Sequence, residues 1–263
     1  MATVTRRLTA ISALLATGAI LGGCGKSGVV TVTSGATPTT AKRHRAPAPR
    51  AAPKANETHA NAQAKAYAQA VNLRATDVPG FAHNRERAHP ESQSERRATR
   101  ELHECAGSQA QDEGLFEAGS GEFSRKASII RQGVSSQVAV ASSASAAAET
   151  LAGLRSNRVR ACLSHYFTKL LTRLGSHGAS VGHVTTKYGS PPAPGTSGSF
   201  GLRVTAIVSF SGIRLPFYID YLSFVDGAGE ISLLSLGTPV PFPASIEERL
   251  FSLLVARAKA HRT

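Results

Sequence analysis

From residue 202 onward the side chains follow a period of two, broken only by the apolar Ile207. Leu202, Val204, Ala206, Val208 and Phe210 alternate with Arg203, Thr205, Ile207 and Ser209. A period of two puts successive side chains on opposite faces of an extended strand. Ser211-Gly212 has the size of a two-residue hairpin turn, so the chain turns straight back. Residues 215–225 are apolar on both faces, which predicts a central strand, and Asp226-Gly227-Ala228-Gly229 turns into a third strand over 230–236. The result is a β-meander. Beyond it, Ser245 and Glu248 have the spacing of a capping box, opening a last helix with Ile246, Leu250, Leu253, Leu254 and Ala258 on one side.

Helical and strand patterns alternate ahead of the meander. Residues 60–71 are Ala-rich, with Tyr67 and Val71 one turn apart, and this helix ends before Asp77-Val78-Pro79-Gly80; Phe81 then plugs the core. Ser92 and Glu95 form a capping box for a helix that carries Ala98, Leu102 and Cys105 on its inner side and stops at Gly107. Two strands follow, with Phe123, Ala127 and Ile129 on one side of the first and Val134, Val138 and Val140 on one side of the second. Gly133 supplies the turn between them. Ala144, Ala147, Leu151 and Leu154 then recur at helical spacing. A second helix over 157–174 has Val159, Leu163, Phe167, Leu170 and Leu174 as its stripe and ends at Gly175. A strand over 180–187 leads to a loop, residues 189–198, too rich in Pro and Gly for regular structure. The order predicts an α+β fold: an antiparallel sheet of five to seven strands with helices packed against it.

The N-terminus has a different character. Arg6 and Arg7 precede an apolar stretch over 8–21, and two small residues follow, the pattern of an export signal. Leu21-Gly22-Gly23-Cys24 resembles the bacterial lipobox. The resemblance implies that Cys24 carries diacylglycerol and becomes the mature N-terminus after cleavage behind Gly23. The alternative, a transmembrane anchor, meets an apolar stretch well short of the roughly 20 residues that span a bilayer. Three parts follow: a signal peptide (1–23), the lipidated cysteine with a tether (24–59), and one domain (60–263). The chain is expected to be lipid-anchored at the cell membrane, on its extracytoplasmic side.

The full chain has 30 basic against 17 acidic residues. The tether is Ala-, Pro-, Thr- and Ser-rich and carries Lys26, Lys42, Arg43, Arg45, Arg50 and Lys54 against Glu57 alone. That composition cannot bury a core, so the segment reads as disordered. Its bases suit anionic headgroups or a cell-wall polymer, each contributing about 1 kcal/mol near such a surface. Nucleic acid is not expected as a partner: the chain is exported, and no aromatic-plus-basic recognition motif is present.

Besides Cys24 the chain has Cys105 and Cys162. An oxidising exterior favours joining them, and their helical positions allow them to face one another. The whole plan, from signal and lipobox through Asp77-Val78-Pro79-Gly80-Phe81 and the cysteine pair to the terminal meander and helix, resembles actinobacterial LpqN-type lipoproteins. It is also similar to the extracellular sensor domain of mycobacterial serine/threonine kinases, whose members typically carry two disulfides where this chain can form one. The resemblance implies a PsbP-like or related α+β scaffold.

Few motifs carry chemistry. His103, Cys105, Cys162 and His165 together offer two sulfurs and two imidazoles, a zinc-like set that is the alternative to a disulfide. His103-Glu104 begins like a metalloprotease helix, but Gly107 stands where the second histidine should be. Gly195-Thr196-Ser197-Gly198-Ser199 approaches a nucleophile elbow but lacks its last glycine, so Ser197 reads as a loop residue. The acids Glu101, Glu104, Asp112, Glu113, Glu117 and Glu122 lack calcium-loop spacing and read as a solvated patch. Asp220 lies in an apolar strand, where an ionised carboxylate needs a partner. Phe217, Tyr218, Asp220, Tyr221 and Phe224 could line a ligand groove or simply fill core.

These observations lead to a non-enzymatic binding or sensor-like domain for a protein, glycan or lipid partner, with no cofactor. A carrier of a small apolar ligand and a zinc-dependent or hydrolytic enzyme are the alternatives.

Overall fold

A computed structural model describes residues 55–84, 93–106, 115–174, 179–210 and 212–262. The signal, Cys24 and the tether up to residue 54 lie outside these residues, as do Ser92, Gly107 and Gly175. In chain order the elements are α1 (Ala55–Val71), a 3-10 turn (Ala75–Asp77), β1 (Ala82–Asn84), α2 (Gln93–Ala106), β2 (Phe116–Gly119), β3 (Glu122–Ala127) and β4 (Ile130–Val140). Then come α3 (Ala144–Arg155), α4 (Asn157–Leu174), β5 (Ala179–Gly189), β6 (Gly198–Phe210), β7 (Ile213–Asp226), β8 (Gly229–Thr238) and α5 (Ala244–Ala260). Because α1 opens at Ala55, residues 55–59 belong to a helix rather than to the tether.

The fold is α+β, with one antiparallel sheet in the order β1-β3-β4-β8-β7-β6-β5 and β2 pairing with β4. Among the described residues it has eight strands; β1 and β2, three and four residues long, are too short to leave a pattern. The meander is as the alternation predicts. Phe210 faces Ile213 across the first turn, Asp226 faces Gly229 across the second, and β7 lies between β6 and β8. Gly227 takes a φ of 58° in that second turn, a conformation glycine adopts without penalty.

The two apolar faces of β7 serve two separate cores. On one face α2, α3 and α4 cover Leu202, Val204, Ala206, Ile219 and Tyr221 with Leu151, Leu163 and Phe167. On the other, α1 and α5 cover Phe123, Val134, Val138, Phe224, Ile231 and Leu233 with Val71, Leu250 and Leu254. Each such side chain contributes on the order of 2 kcal/mol by leaving water. Four of the five stripe residues read for 157–174, Val159, Leu163, Phe167 and Leu170, are buried as expected, and the side chain of Leu174 lies outside the described residues. In α3 Ala147, Leu151 and Leu154 face inward as expected, whereas Ala144, in the first turn, is exposed, and Ser143 caps the helix by accepting from the Ala146 amide at 3.1 Å.

Three local readings need correction. Gly133 is not a turn residue: it sits inside β4 opposite Ser124, and the chain reverses at Ser128-Ile129. Ser128 takes a φ of 55° there, so Ile129 is a turn residue and Ala127 an exposed one instead of inward strand positions. A Cβ at Gly133 would come within 2.9 Å of Glu122 Oε1, the mobile end of a side chain on the neighbouring strand. The Ser245/Glu248 box does not form. Pro243 holds the N-cap position of α5 without a side-chain hydrogen bond, and its carbonyl accepts from the Ile246 and Glu247 amides.

Candidate functional site

Cys105 near the end of α2 and Cys162 in α4 form a disulfide, with sulfurs 2.00 Å apart and Cα atoms 5.8 Å apart. Ala98, Leu102 and Ala106 bury the inner side of α2, whereas Cys105, read as an inner residue, is exposed at its flank, and Lys169 Nζ meets Glu101 Oε2 at 2.8 Å across the same contact. Arg158 Nε donates to the Cys105 carbonyl at 2.8 Å. Both sulfurs are used in the bridge, so they cannot serve as thiolate ligands and the zinc-like set with His103 and His165 is not formed. His165 is exposed on α4, and the side chain of His103 lies outside the described residues. The crevice bordered by Leu102, Cys105, Tyr166 and Lys169 holds about 10 Å³, no more than one water needs.

The aromatic run on β7 does not line one groove. The pleat sends alternate side chains to opposite faces: Phe217 and Tyr221 pack on the α2–α4 side, while Phe224 packs under α1 and α5 on the side shared by Tyr218 and Asp220. Phe224 and Tyr221 are 1% and 4% exposed, which makes them core.

Asp220 is buried and answered by a partner one strand away. Arg203 Nε donates to Asp220 Oδ1 at 2.5 Å and Nη2 to Oδ2 at 2.9 Å. This two-pronged arginine–carboxylate geometry is the strongest kind of ion pair. Glu247 enters from the first turns of α5, 4.0 Å from Arg203 Nη2, and accepts from the Ser235 hydroxyl. Burial, supported by the charge on Asp220 and opposed by Ser235 and Arg203, pushes the Glu247 carboxyl up to about 7. Two carboxylates thus share one half-exposed guanidinium; among the described side chains this is the grouping closest to a reactive one. Arg203, Ser235 and Glu247 escaped the sequence reading, although counting residues outward from the two meander turns places Arg203 and Ser235 on either side of Asp220.

Two further aspartates are held the same way. Asp77 accepts from Arg257 through both oxygens, at 2.7 and 2.8 Å, and from the Arg74 amide at 2.7 Å. Arg257 also reaches the Asn72 carbonyl at 3.0 Å and Arg249 the Asp77 carbonyl at 2.9 Å, so α5 clasps the segment leaving α1. Burial draws the Asp77 carboxyl upward, but the hydrogen bonds from Arg257 and Arg74 outweigh it and hold it below the usual carboxylate range. Phe81, half-buried, packs on Phe242 with ring centroids 5.7 Å apart. Asp226 at the end of β7 pairs with Arg262, whose Nη2 also donates to the Gly195 carbonyl at 2.5 Å and so ties down the Pro-rich loop. Ser197 is exposed in that loop, its amide donating to the Val225 carbonyl at 2.8 Å.

No helix among the described residues is long and apolar enough to cross a membrane. No protein-family model, curated protein or solved structure matches this chain.

Proposed function

We propose that this chain is an exported lipoprotein, anchored through Cys24 to the extracytoplasmic side of the cell membrane. In this reading a basic tether carries a non-enzymatic binding or sensor-like domain for a protein, glycan or lipid partner. The export pattern and Leu21-Gly22-Gly23-Cys24 motivate the anchor. The observation that carries the reading is the Cys105–Cys162 bridge, because structural disulfides belong to oxidising compartments. The state of the carboxylates supports binding over catalysis. Asp77, Asp220 and Asp226 are each gripped by an arginine, which occupies their lone pairs. The likeness to LpqN-type lipoproteins and kinase sensor domains fits the same role.

The test is metabolic labelling with an alkyne fatty acid in a bacterial host that secretes the protein. Label on the parent, its absence from Cys24→Ala, and accumulation of the uncleaved variant would support the anchor. Equal labelling of both chains, or an unlabelled parent in the soluble cytoplasmic fraction, would refute it.

A further inference from the structure

One end of the sheet gathers most of the large apolar side chains that the fold leaves in water. The antiparallel register puts the β3–β4 turn, the β6–β7 turn and the segment after β8 at that end, since Ala127 faces Ile130, Arg131 faces Thr238 and Phe210 faces Ile213. Ile129 is 65% exposed, Ile213 62% and Val240 41%, three of the four exposed large hydrophobics among the described residues. The fourth, Leu115, hydrogen-bonds Val140 at the opposite end. Single exposed apolar residues need no explanation, but their collection at one end invites one.

Cations stand beside them. Lys126 and Arg131 face each other directly across β3 and β4, a like-charge pairing that is unfavourable in water alone. Arg214 follows Ile213, and both Lys126 and Arg214 are exposed. Apolar tips set among bases are the chemistry that binds the boundary between anionic headgroups and acyl chains.

We propose that this end of the sheet is a membrane-contact surface for an anionic bilayer. Ile129 and Ile213 enter the interface, and Lys126, Arg131 and Arg214 pair with lipid phosphates. Charge complementarity selects an anionic bilayer over an apolar protein groove. The length of chain outside the structure permits it, a step that rests on reading Cys24 as the lipid anchor. Tyr67 of α1 lies against Gly229 in the β7–β8 turn, so the tether leaves from the opposite end. The 30 residues between Cys24 and Ala55 extend to about 100 Å, whereas β4 is about 36 Å long. Anchor and hairpin end therefore reach the same bilayer.

All the contacts described above lie within 55–262, so the chain from Gly25 onward retains them together with the tether. That chain is tested by co-sedimentation with vesicles of phosphatidylcholine, with and without one third phosphatidylglycerol. The parent should bind the anionic vesicles. Ile129→Ser/Ile213→Ser should bind them about tenfold or more weakly at unchanged melting temperature, and Lys126→Gln/Arg131→Gln should bind more weakly with less salt dependence. A parent that binds neither vesicle, binds both equally, or binds as well after the isoleucine changes overturns the proposal; the last outcome would assign binding to the tether. Because this chain lacks Cys24, failure here and failure of the fatty-acid labelling are independent results.

Discussion

Asp77 and Arg257 lie 180 residues apart in the chain and meet as a two-pronged ion pair, Nη1 to Oδ2 at 2.7 Å and Nη2 to Oδ1 at 2.8 Å. The contact joins the exit of α1 to the C-terminal half of α5, and both side chains are largely buried, at 9% and 18% exposed. Removing one member leaves the other's charge without its answer, which generally costs about 3 kcal/mol or more. Asp77→Asn should lower stability by that amount in urea denaturation near neutral pH. The folded carboxyl titrates below its unfolded value, so its contribution is complete above about pH 4 and is lost as pH falls through the folded value. The parent should therefore weaken on acidification more steeply than Asp77→Asn, and parallel acid limbs would show that the pair carries no linkage.

Glu247 has the opposite sign. Its carboxyl titrates at about 7 in the folded chain against 4.5 as the ordinary value. The folded state holds the proton more tightly, so this group's favourable contribution is complete below about pH 4.5 and is lost as pH rises through about 7. Glu247→Gln removes the charge that burial disfavours. It should match the parent at pH 4 and exceed it at pH 8 by on the order of 3 kcal/mol. Denaturation curves at both values check this; a variant less stable than the parent at pH 8 would mean that Arg203 stabilises the ionised form more than burial penalises it.

The Cys105–Cys162 bridge closes a separation of 57 residues. On the chain-entropy account a loop of that size contributes about 4 kcal/mol. Cys105→Ala/Cys162→Ala should lose a comparable amount. Intact mass after alkylation without reductant should show the secreted domain unlabelled and two hydrogens lighter than its reduced form; two alkylated cysteines would remove the bridge from the native protein.

Glycine tolerance should differ sharply between a strand position and a turn. A Cβ at Gly237 would stand 2.4 Å from the Val240 carbonyl oxygen and 2.7 Å from the Phe242 nitrogen, both of them backbone atoms that cannot step aside. Gly237→Ala should fail to accumulate as folded protein. Gly227 has open space around the same position and only its φ of 58° to protect, so Gly227→Ala should cost about 1 to 2 kcal/mol. Equal melting temperatures for the two variants would contradict this.

The meander was legible because three things agreed there: alternation, turn chemistry and length. Once Ser211-Gly212 and Gly227-Ala228 are taken as turns, register follows by counting, and Arg203, Asp220 and Ser235 fall into one row across three strands. The β3–β4 hairpin misled because its turn, Ser128-Ile129, contains no glycine, asparagine, aspartate or proline, while a glycine stands a few residues later inside β4. The aromatics of β7 looked like one cluster because proximity in sequence says nothing of face until the covering layers are known. Glu247 and Arg257 were out of reach for a different reason. Both come from α5, and nothing local indicates which part of a sheet a terminal helix will cross.

The pairing of β4 with β8 has a consequence for how the protein is made. Arg131 finds Thr238 and Val140 finds Gly229 only across the whole of α3, α4 and the β5–β7 strands. A chain emerging from its N-terminus therefore presents β1 to β4 with one long edge open until its last strand appears. The two cysteines are both present well before then, so the clip between α2 and α4 can close while half of the sheet still lacks its neighbour. That interval is when open strands meet other molecules. Within β4 itself, Gly133 and the charge of Arg131 mark the waiting edge as poor material for pairing with a stranger.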